Sequence, residues 1–321
     1  RLVGSEMCIR DRYQGDAEKW LKLAYGLKAR YTMHLLKRSA NKDADMEKVL
    51  EYVNNSFESA EEQAAFDVYD ANNINPLYGF FVARAGLGAS ESMRSKLAEY
   101  NDPRLSRAFI TKQGTSGKEQ APGTADNAVY APNGTPEQGT SKYGTSLFMY
   151  SISAPTLLLS YHELKFLEAE ALCRLERDAK SALKDAVVAG LLNAENSFTI
   201  SRKELGKTLI NAASSITEAE AESYFDNTIE AKYTAEPLKT TMTQKYFALW
   251  GASGEATESY NDVRRMKGLG ENFIELKNPN SFPLRCPYGN SDTTTNAEVK
   301  AAYGNGQYVY SENVWWAGGS R

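Results

Sequence analysis

The residues at 161–191, YHELKFLEAEALCRLERDAKSALKDAVVAGL, decide the fold of this chain. Apolar side chains recur there at helical spacing on both sides of a short polar link, Glu176-Arg177-Asp178. The apolar stripes are Leu164, Leu167, Ala171 and Leu175, then Phe166, Ala169 and Cys173, and beyond the link Ala179, Ala182, Leu183, Ala186, Val187, Gly190 and Leu191. Two helices on so short a link form an antiparallel hairpin, the unit stacked in tetratricopeptide-type solenoids. Any repeats are degenerate, because no clean period of about 34 residues is present.

Helical periodicity continues on both sides of this hairpin, and Pro155 is expected to open its first helix. The further helices are predicted at about 16–38, 45–57, 90–100, 218–233, 237–251 and 255–266. From Gly268 the chain is irregular, and its tail should fold back onto the helices because exposed Trp315 and Trp316 would be costly. The predicted fold class is mainly α, a tetratricopeptide-like helical scaffold with long irregular loops and few short strands.

Composition excludes several classes of protein. The chain has 321 residues, and its 37 basic and 41 acidic side chains give a net charge of −4. They are spread along the sequence, without the concentrated basic face of a nucleic-acid binder. No apolar run approaches the roughly 18 residues of a membrane span. With 3 cysteines and 2 histidines, neither a disulfide framework nor a histidine-rich metal site is expected.

Two non-helical stretches hold the candidate ligand-binding residues. Residues 66–81 carry turn residues and an aromatic run, and residues 106–154 form a long irregular excursion rich in Gly, Thr, Ser and Asn. Loops of that length are usually functional or mobile. Aromatic faces stack on sugar rings while Asn and Arg donate hydrogen bonds, which makes these residues the candidates: Tyr78, Phe80, Arg84, Asn127, Tyr130 and Tyr143. A surface excursion without a binding role remains equally open for the second stretch.

No catalytic motif, cofactor fingerprint or metal site emerges from the sequence. The chain has no GxSxG elbow, HExxH pair or P-loop. The pair Asp70-x-Asn72 has the start of a calcium loop, but Ile74 occupies the next ligand position. Cys173 lies in an apolar stripe, which favours a buried structural thiol, and Arg264-Arg265 is expected to form local ion pairs. We therefore expect no catalytic residues, no metal and no cofactor.

The N-terminal segment is not expected to be part of the folded domain. Residues 2–12, LVGSEMCIRDR, resemble a translated transposon-type sequencing adapter rather than a targeting signal. The expected organisation is an adapter-derived, disordered segment at 1–12 and one partial domain at 13–321. The native N-terminal portion is then expected to be missing, together with any signal peptide or lipid anchor.

Six segments resemble, in order, the SusD/RagB family of outer-membrane nutrient-binding lipoproteins from Bacteroidetes. They are GDxxKWxKxAxxLKxR at 15–30, NDPRL at 101–105, YxExxFxxAEA at 161–171, TQKYxAL at 243–249, NDVRR at 261–265 and FPxRxPY at 282–288. No single segment is specific, but six in the family's order over most of residues 15–290 are. The ligand-binding residues of this family vary between members, and no motif carries them over to positions of this chain.

The resemblance implies a function and partners. It implies a helical scaffold on the cell surface, held by a lipid anchor, that acts as a lid over a TonB-dependent, SusC-like outer-membrane barrel. Such proteins capture oligosaccharides or, in some members, peptides, and deliver them to the barrel for nutrient uptake. The lipidated cysteine and the first scaffold helices lie in the portion expected to be missing, so contact with the membrane would be through that anchor alone.

Three alternatives remain open at this stage. The chain could be a helical-repeat module that binds another protein, or a peptide-binding member of the same family. It could also be an α-helical glycoside hydrolase, which would need two carboxylates about 5–10 Å apart in a cleft. The acidic charge, the 19 tyrosines and the lack of catalytic motifs agree best with a binding protein.

Overall fold

The computed structural model describes residues 13–84, 87–113, 118–120, 129–134, 142–210, 212–279 and 281–320. The adapter-like segment 2–12 and the candidate Asn127 lie outside the described residues. Within the described residues, no helix is both long enough and apolar enough to cross a membrane.

The hairpin predicted from residues 161–191 is present, and it forms the centre of the scaffold. Helix α6 spans Tyr161–Arg174 and helix α7 spans Lys180–Leu205. Ser160 caps α6, since its side chain accepts the backbone N–H of Glu163. The expectation that Pro155 opens this helix is wrong, because strand β5 (Thr156–Leu159) stands between them. The alternating burial of its TLLL sequence favours a strand there.

The other helices flank this hairpin. Their bounds are α1 Ala17–His34, α2 Lys42–Asn54, α3 Pro76–Arg84, α4 Glu91–Glu99, α5 Leu105–Ala108, α8 Glu218–Tyr224, α9 Glu230–Ala235, α10 Pro237–Ala248, α11 Ala256–Leu269, α12 Asn290–Thr295 and α13 Ala297–Tyr303. A π-helical turn, Phe225–Ile229, joins α8 to α9, so the helix predicted at 218–233 is continuous but more loosely wound in the middle. Short 3₁₀ turns occur at Leu36–Arg38, Ala60–Glu62, Leu147–Tyr150, Gly206–Thr208 and Trp315–Ala317.

Two small sheets complete the fold. One pairs β1 (Ala64–Phe66) antiparallel with β5, with Ala64 opposite Leu159. The other has the strand order β4-β2-β3-β6. Its strands are β2 Phe109–Gln113, β3 Lys118–Gln120, β4 Thr145–Ser146 and β6 Leu209–Ile210. Three of these strands lie within residues 106–154, so the stretch expected to be irregular contains regular pairing.

Helix α6 lies between two hydrophobic clusters, one for each of its predicted stripes. Leu164, Leu167 and Ala171 belong to a cluster shared with α1 and α2. Phe166 and Ala169 belong to a larger cluster shared with α7 and α10. At the α7–α10 contact a Cβ on Gly190 would lie 2.9 Å from the Cβ of Ala248, so only glycine permits that approach. The two stripes therefore explain why this hairpin organises both halves of the core.

The C-terminal tail folds back onto the helices, as predicted, but the expectation that it is irregular from Gly268 is wrong, because it contains the short helices α12 and α13. The Trp316 ring is stacked on His34 of α1 at a centroid distance of 6.4 Å. The Arg264 guanidinium of α11 lies 4.8 Å from the same ring. Trp315 remains 54% exposed, with the Arg38 guanidinium 5.1 Å from its ring. The tail thus covers the end of α1 with one tryptophan and leaves the other open to solvent.

Candidate functional site

Charged residues from four of the six sequence motifs meet in the interior as ion pairs. Arg30 of α1 donates its Nε–H to Glu163 of α6 at 2.7 Å. Arg265 of α11 bonds Glu170 of α6 at 2.8 Å, and Lys245 of α10 lies 2.7 Å from Asp262. Each of these side chains is at most 8% exposed. These motif residues therefore join helices to one another and present no charge to a ligand at the surface.

A fourth buried pair, Arg104 with Asp102, secures the NDPR turn. Arg104 donates to Asp102 at 2.6 Å and 2.8 Å, and to the backbone oxygen of Phe247 on α10 at 2.7 Å. Burial opposes charge on Arg104, but the Asp102 carboxylate outweighs it and raises the pKa of the guanidinium. The predicted role of Arg264-Arg265 in local ion pairing is confirmed for Arg265, which also bonds Asp262 at 2.8 Å.

Helix α3 presents the first three candidate ligand-binding residues. Phe80 is 49% exposed, Arg84 is exposed, and the Arg84 guanidinium lies 5.8 Å from the Phe80 ring centroid. Tyr78 is half-buried and donates its hydroxyl hydrogen to Glu204 at 3.3 Å. The expectation of an irregular segment up to residue 81 is wrong, because the helix already begins at Pro76. We call Tyr78, Phe80 and Arg84 the α3 platform.

Helix α3 is anchored on its inner side. The buried Asn75 side chain accepts the backbone N–H of Leu77 at 2.8 Å and donates to the backbone oxygen of Ala154 at 2.8 Å. Phe81 packs edge-on against Tyr150 with a centroid distance of 5.1 Å. Phe80 and Arg84 therefore face outward from a helix that the fold holds in place, as a preorganised binding surface requires.

Tyr130 and Tyr143 lie together, but both are largely buried, at 7% and 8% exposure. Hydrogen bonding between the backbones of Gly144 and Val129, at 2.9 Å, brings their chain segments side by side. Tyr130 packs edge-on against Phe109 at 5.2 Å, and the Arg94 guanidinium lies 5.3 Å from its ring. Burial raises the pKa of Tyr130. These two tyrosines therefore lie beneath the surface and do not present an exposed ring to a ligand.

The structure contains an aromatic cleft that the sequence interpretation missed. Its volume is about 250 Å³, and its aromatic lining consists of Tyr246, Trp250, Tyr260 and Phe282. Helix α10 supplies Tyr246, the segment just after α10 supplies Trp250, α11 supplies Tyr260, and the C-terminal segment supplies Phe282, which packs on Tyr260 at 5.6 Å. The four-residue spacing of Tyr246 and Trp250 in the sequence could have indicated that the two rings lie on the same side of the chain. We call this set of residues the aromatic cleft.

The aromatic cleft also carries polar groups that can orient a ligand. Tyr246, Trp250 and Ser259 each have a side-chain donor, and none of the three makes a side-chain hydrogen bond within the described part of the chain. Burial raises the pKa of Tyr246, so its hydroxyl stays protonated and can donate. Trp250 stacks on Phe109 at 5.5 Å, and Phe109 touches Tyr130. A mostly apolar pocket with a few polar groups is the usual form of a ligand site.

Neither calcium binding nor a reactive cysteine finds support in the geometry. Asp70 Oδ1 accepts the backbone N–H groups of Asn72 and Asn73 at 2.8 and 2.7 Å, which makes this segment an Asx turn. No group of three His, Cys, Asp or Glu side chains in the described residues is placed to hold a metal ion. Cys173 is half-buried, and burial raises the pKa of its thiol, which disfavours the reactive thiolate.

Comparison with known proteins places this helical scaffold in a class of binding proteins associated with the outer membrane. A SusD-like family model described as "Starch-binding associating with outer membrane" matches residues 11–288, and the chain belongs to this family. No curated protein matches the chain.

Solved structures agree with this family and fold. A SusD/RagB family protein from Bacteroides thetaiotaomicron is 66% identical, with a TM-score of 0.92 over 97% of this chain and 66% of its own length. A SusD homologue from Bacteroides fragilis is 19% identical, with a TM-score of 0.69 over 95% of this chain and 68% of its own. A chitin-binding protein is 20% identical, with a TM-score of 0.67 over 95% of this chain and 66% of its own. The chain thus spans about two thirds of the length of these relatives, and the last two establish the fold alone.

Proposed function

We propose that this chain is the ligand-capturing part of a cell-surface protein that binds oligosaccharides and delivers them to a TonB-dependent, SusC-like barrel. The full-length protein would be held at the outer membrane by a lipid anchor. The family match over residues 11–288, with its starch-binding description, is the observation that carries this proposal. One relative of the same fold is a chitin-binding protein, which supports a carbohydrate ligand by analogy.

The proposed binding surface combines the α3 platform with the residues of the long loop. The exposed Phe80 ring offers an apolar face to the C–H groups of a sugar ring, and Arg84 donates hydrogen bonds to its hydroxyl groups. Asn127 would add an amide from the loop, and Tyr78, Tyr130 and Tyr143 would support and shape the surface. No catalytic group is assigned, so the ligand would leave unchanged.

Equilibrium binding of maltoheptaose and of chitohexaose to the purified chain, measured by calorimetry, tests the proposal. We expect saturable binding of at least one of these glycans. Phe80→Ala should lower the affinity about tenfold, because losing one stacked ring should cost roughly 1.4 kcal/mol of binding free energy. Trp315→Ala is the matched control, since Trp315 is also an exposed aromatic beside an arginine. Binding of short peptides but of neither glycan would favour the peptide-binding alternative and overturn the carbohydrate assignment.

A further inference from the structure

The structure also contains a groove of about 520 Å³. It shares no lining residue with the α3 platform or with the aromatic cleft. Four parts of the chain form it: the linker after α2, the start of α6, the exposed side of α7, and the first turns of α8. Five carboxylates line it, two from the linker, one from α7 and two from α8: Glu58, Glu61, Asp185, Glu218 and Glu222. We call this feature the acidic groove.

The negative charge of the acidic groove is only partly balanced from within the protein. Lys184 is the one lysine or arginine lining it, and its ammonium bonds both carboxylate oxygens of Asp226 at 2.9 Å. Lys22 holds Glu58 at 2.9 Å, and Lys165 lies 3.3 Å from Asp185. The lining residues alone carry an excess of four negative charges, and Lys22 and Lys165 offset part of it from just outside the lining.

Three of the five carboxylates are not held in an ion pair among the described residues. Glu61, Glu218 and Glu222 form no ion pair with any lysine, arginine or histidine among the described residues. His162 also reaches the acidic groove, but its Nε2 lies 3.1 Å from Glu255, which balances its charge when it is protonated. Like charges held together around a concave surface attract a cationic ligand and raise its rate of association.

The remaining lining matches a polypeptide rather than a small cation. Val188, Ala189 and Leu192 of α7 provide an apolar strip that suits the methylene stems of lysine and arginine. Asn193 and Asn196 follow on the same helix, and neither side chain makes a hydrogen bond within the described residues. Their amides can donate to and accept from the backbone of an extended segment. No metal-binding cluster is present in the described residues.

We propose that the acidic groove docks an extended segment of a partner protein that carries lysine or arginine side chains. The carboxylates pair with the cationic ends, the apolar strip packs against their stems, and the asparagines hold the backbone. This interaction is separate from ligand capture, and it does not depend on the proposed function.

The test uses fluorescence anisotropy with a labelled eight-residue peptide of alternating lysine and alanine. We expect saturable binding that weakens as salt rises from about 20 to about 200 mM, and at least about a tenfold loss when the lysines are acetylated. Glu218→Gln with Glu222→Gln should weaken binding about fivefold, because two exposed charge pairs are lost. Asp43→Asn with Glu298→Gln is the control, because it removes the same charge from positions outside the acidic groove.

Three results would overturn the proposal. The first is that the acetylated peptide binds as tightly as the unmodified one. The second is that the groove variant and the control variant bind the peptide with equal affinity. The third is that free spermidine displaces the peptide when its concentration equals the peptide concentration that half-saturates the protein. The last would make the site one for small polyamines rather than for a polypeptide. Glycan binding measured on the same variants separates this outcome from a failure of the proposed function, since the groove substitutions leave Phe80 and Arg84 unchanged.

Discussion

At the scale of single residues, the family motifs of this chain encode interior ion pairs. Glu170 illustrates this role, since it lies fully buried between Arg265 and Arg174. Burial opposes its ionisation, but the two guanidinium groups outweigh that cost and hold the pKa of Glu170 far below its ordinary value. A motif residue of this kind is needed for the fold whatever the ligand is, which explains why the motifs identify the family without locating the binding site.

Breaking one buried pair should be far more damaging than breaking an exposed one. We expect Glu163→Gln to lower the free energy of unfolding by about 3–5 kcal/mol, because the buried Arg30 would lose the carboxylate to which it donates its hydrogen bonds. Lys184→Gln, which breaks the exposed pair with Asp226, should cost only about 0–1 kcal/mol. Urea unfolding at pH 7 measures both. A loss below 1 kcal/mol in Glu163→Gln would contradict the structural role, and the double variant Arg30→Met, Glu163→Leu should be less destabilised than the single one.

The low pKa of Glu258 leads us to expect that the folded chain loses stability in acid. Burial raises its pKa, but the hydrogen bond and charge of His34, with the charge of Arg30, outweigh this and lower the pKa from 4.5 to about 2. A carboxylate with a lower pKa when folded contributes stability above its unfolded pKa of 4.5, and this contribution is lost as the pH falls toward 2.

The Glu258→Gln variant checks this expectation. The difference in free energy of unfolding between wild type and variant should be fully present near pH 5 and should shrink as the pH falls from about 4.5 to about 3. Glu51→Gln, which changes an exposed carboxylate on α2, is the control and should show no such trend. A wild-type-minus-Glu258→Gln difference that stays constant down to pH 3 would show that this ion pair does not supply the acid sensitivity.

At the scale of elements, periodicity predicts helices well and fails where a short element depends on partners far along the chain. The two stripes of α6 were readable because each meets its own core cluster. Helix α3 could not be predicted in this way, because turn residues precede Pro76. Its start depends on the hydrogen bond from the Asn75 side chain to the backbone oxygen of Ala154, far along the chain. Strand β5 was missed for the same reason, since its pairing with β1 is not visible locally.

The aromatic cleft between α10, α11 and the C-terminal segment gives a prediction about binding. If a sugar ring enters it, Ser259→Leu should fill part of its volume of about 250 Å³ and lower glycan affinity about tenfold. Thr257→Leu adds a similar side chain at an exposed position of the same helix, outside the lining, and should leave affinity unchanged. Equal affinities of both variants and the wild type would exclude the cleft from the binding surface.

At the scale of the whole molecule, the sequence predicts the class of fold, the hairpin and the returning tail, but only part of the candidate surface. Phe80 and Arg84 are exposed, as a binding role requires, whereas Tyr130 and Tyr143 are buried against residues that no local pattern connects to them. The placement of the aromatic cleft needs α10, α11 and Phe282 to converge, which only the tertiary fold provides. Polar, glycine-rich loops carry too little periodicity for such contacts to be inferred.

The crystal structure of this chain with bound maltoheptaose tests the central claim most directly. The account predicts a sugar ring stacked on Phe80 with Arg84 within hydrogen-bond distance of its hydroxyl groups, and the acidic groove free of sugar. A glucan bound only in the acidic groove, or a chain that stays unliganded at saturating maltoheptaose and chitohexaose alike, would contradict it.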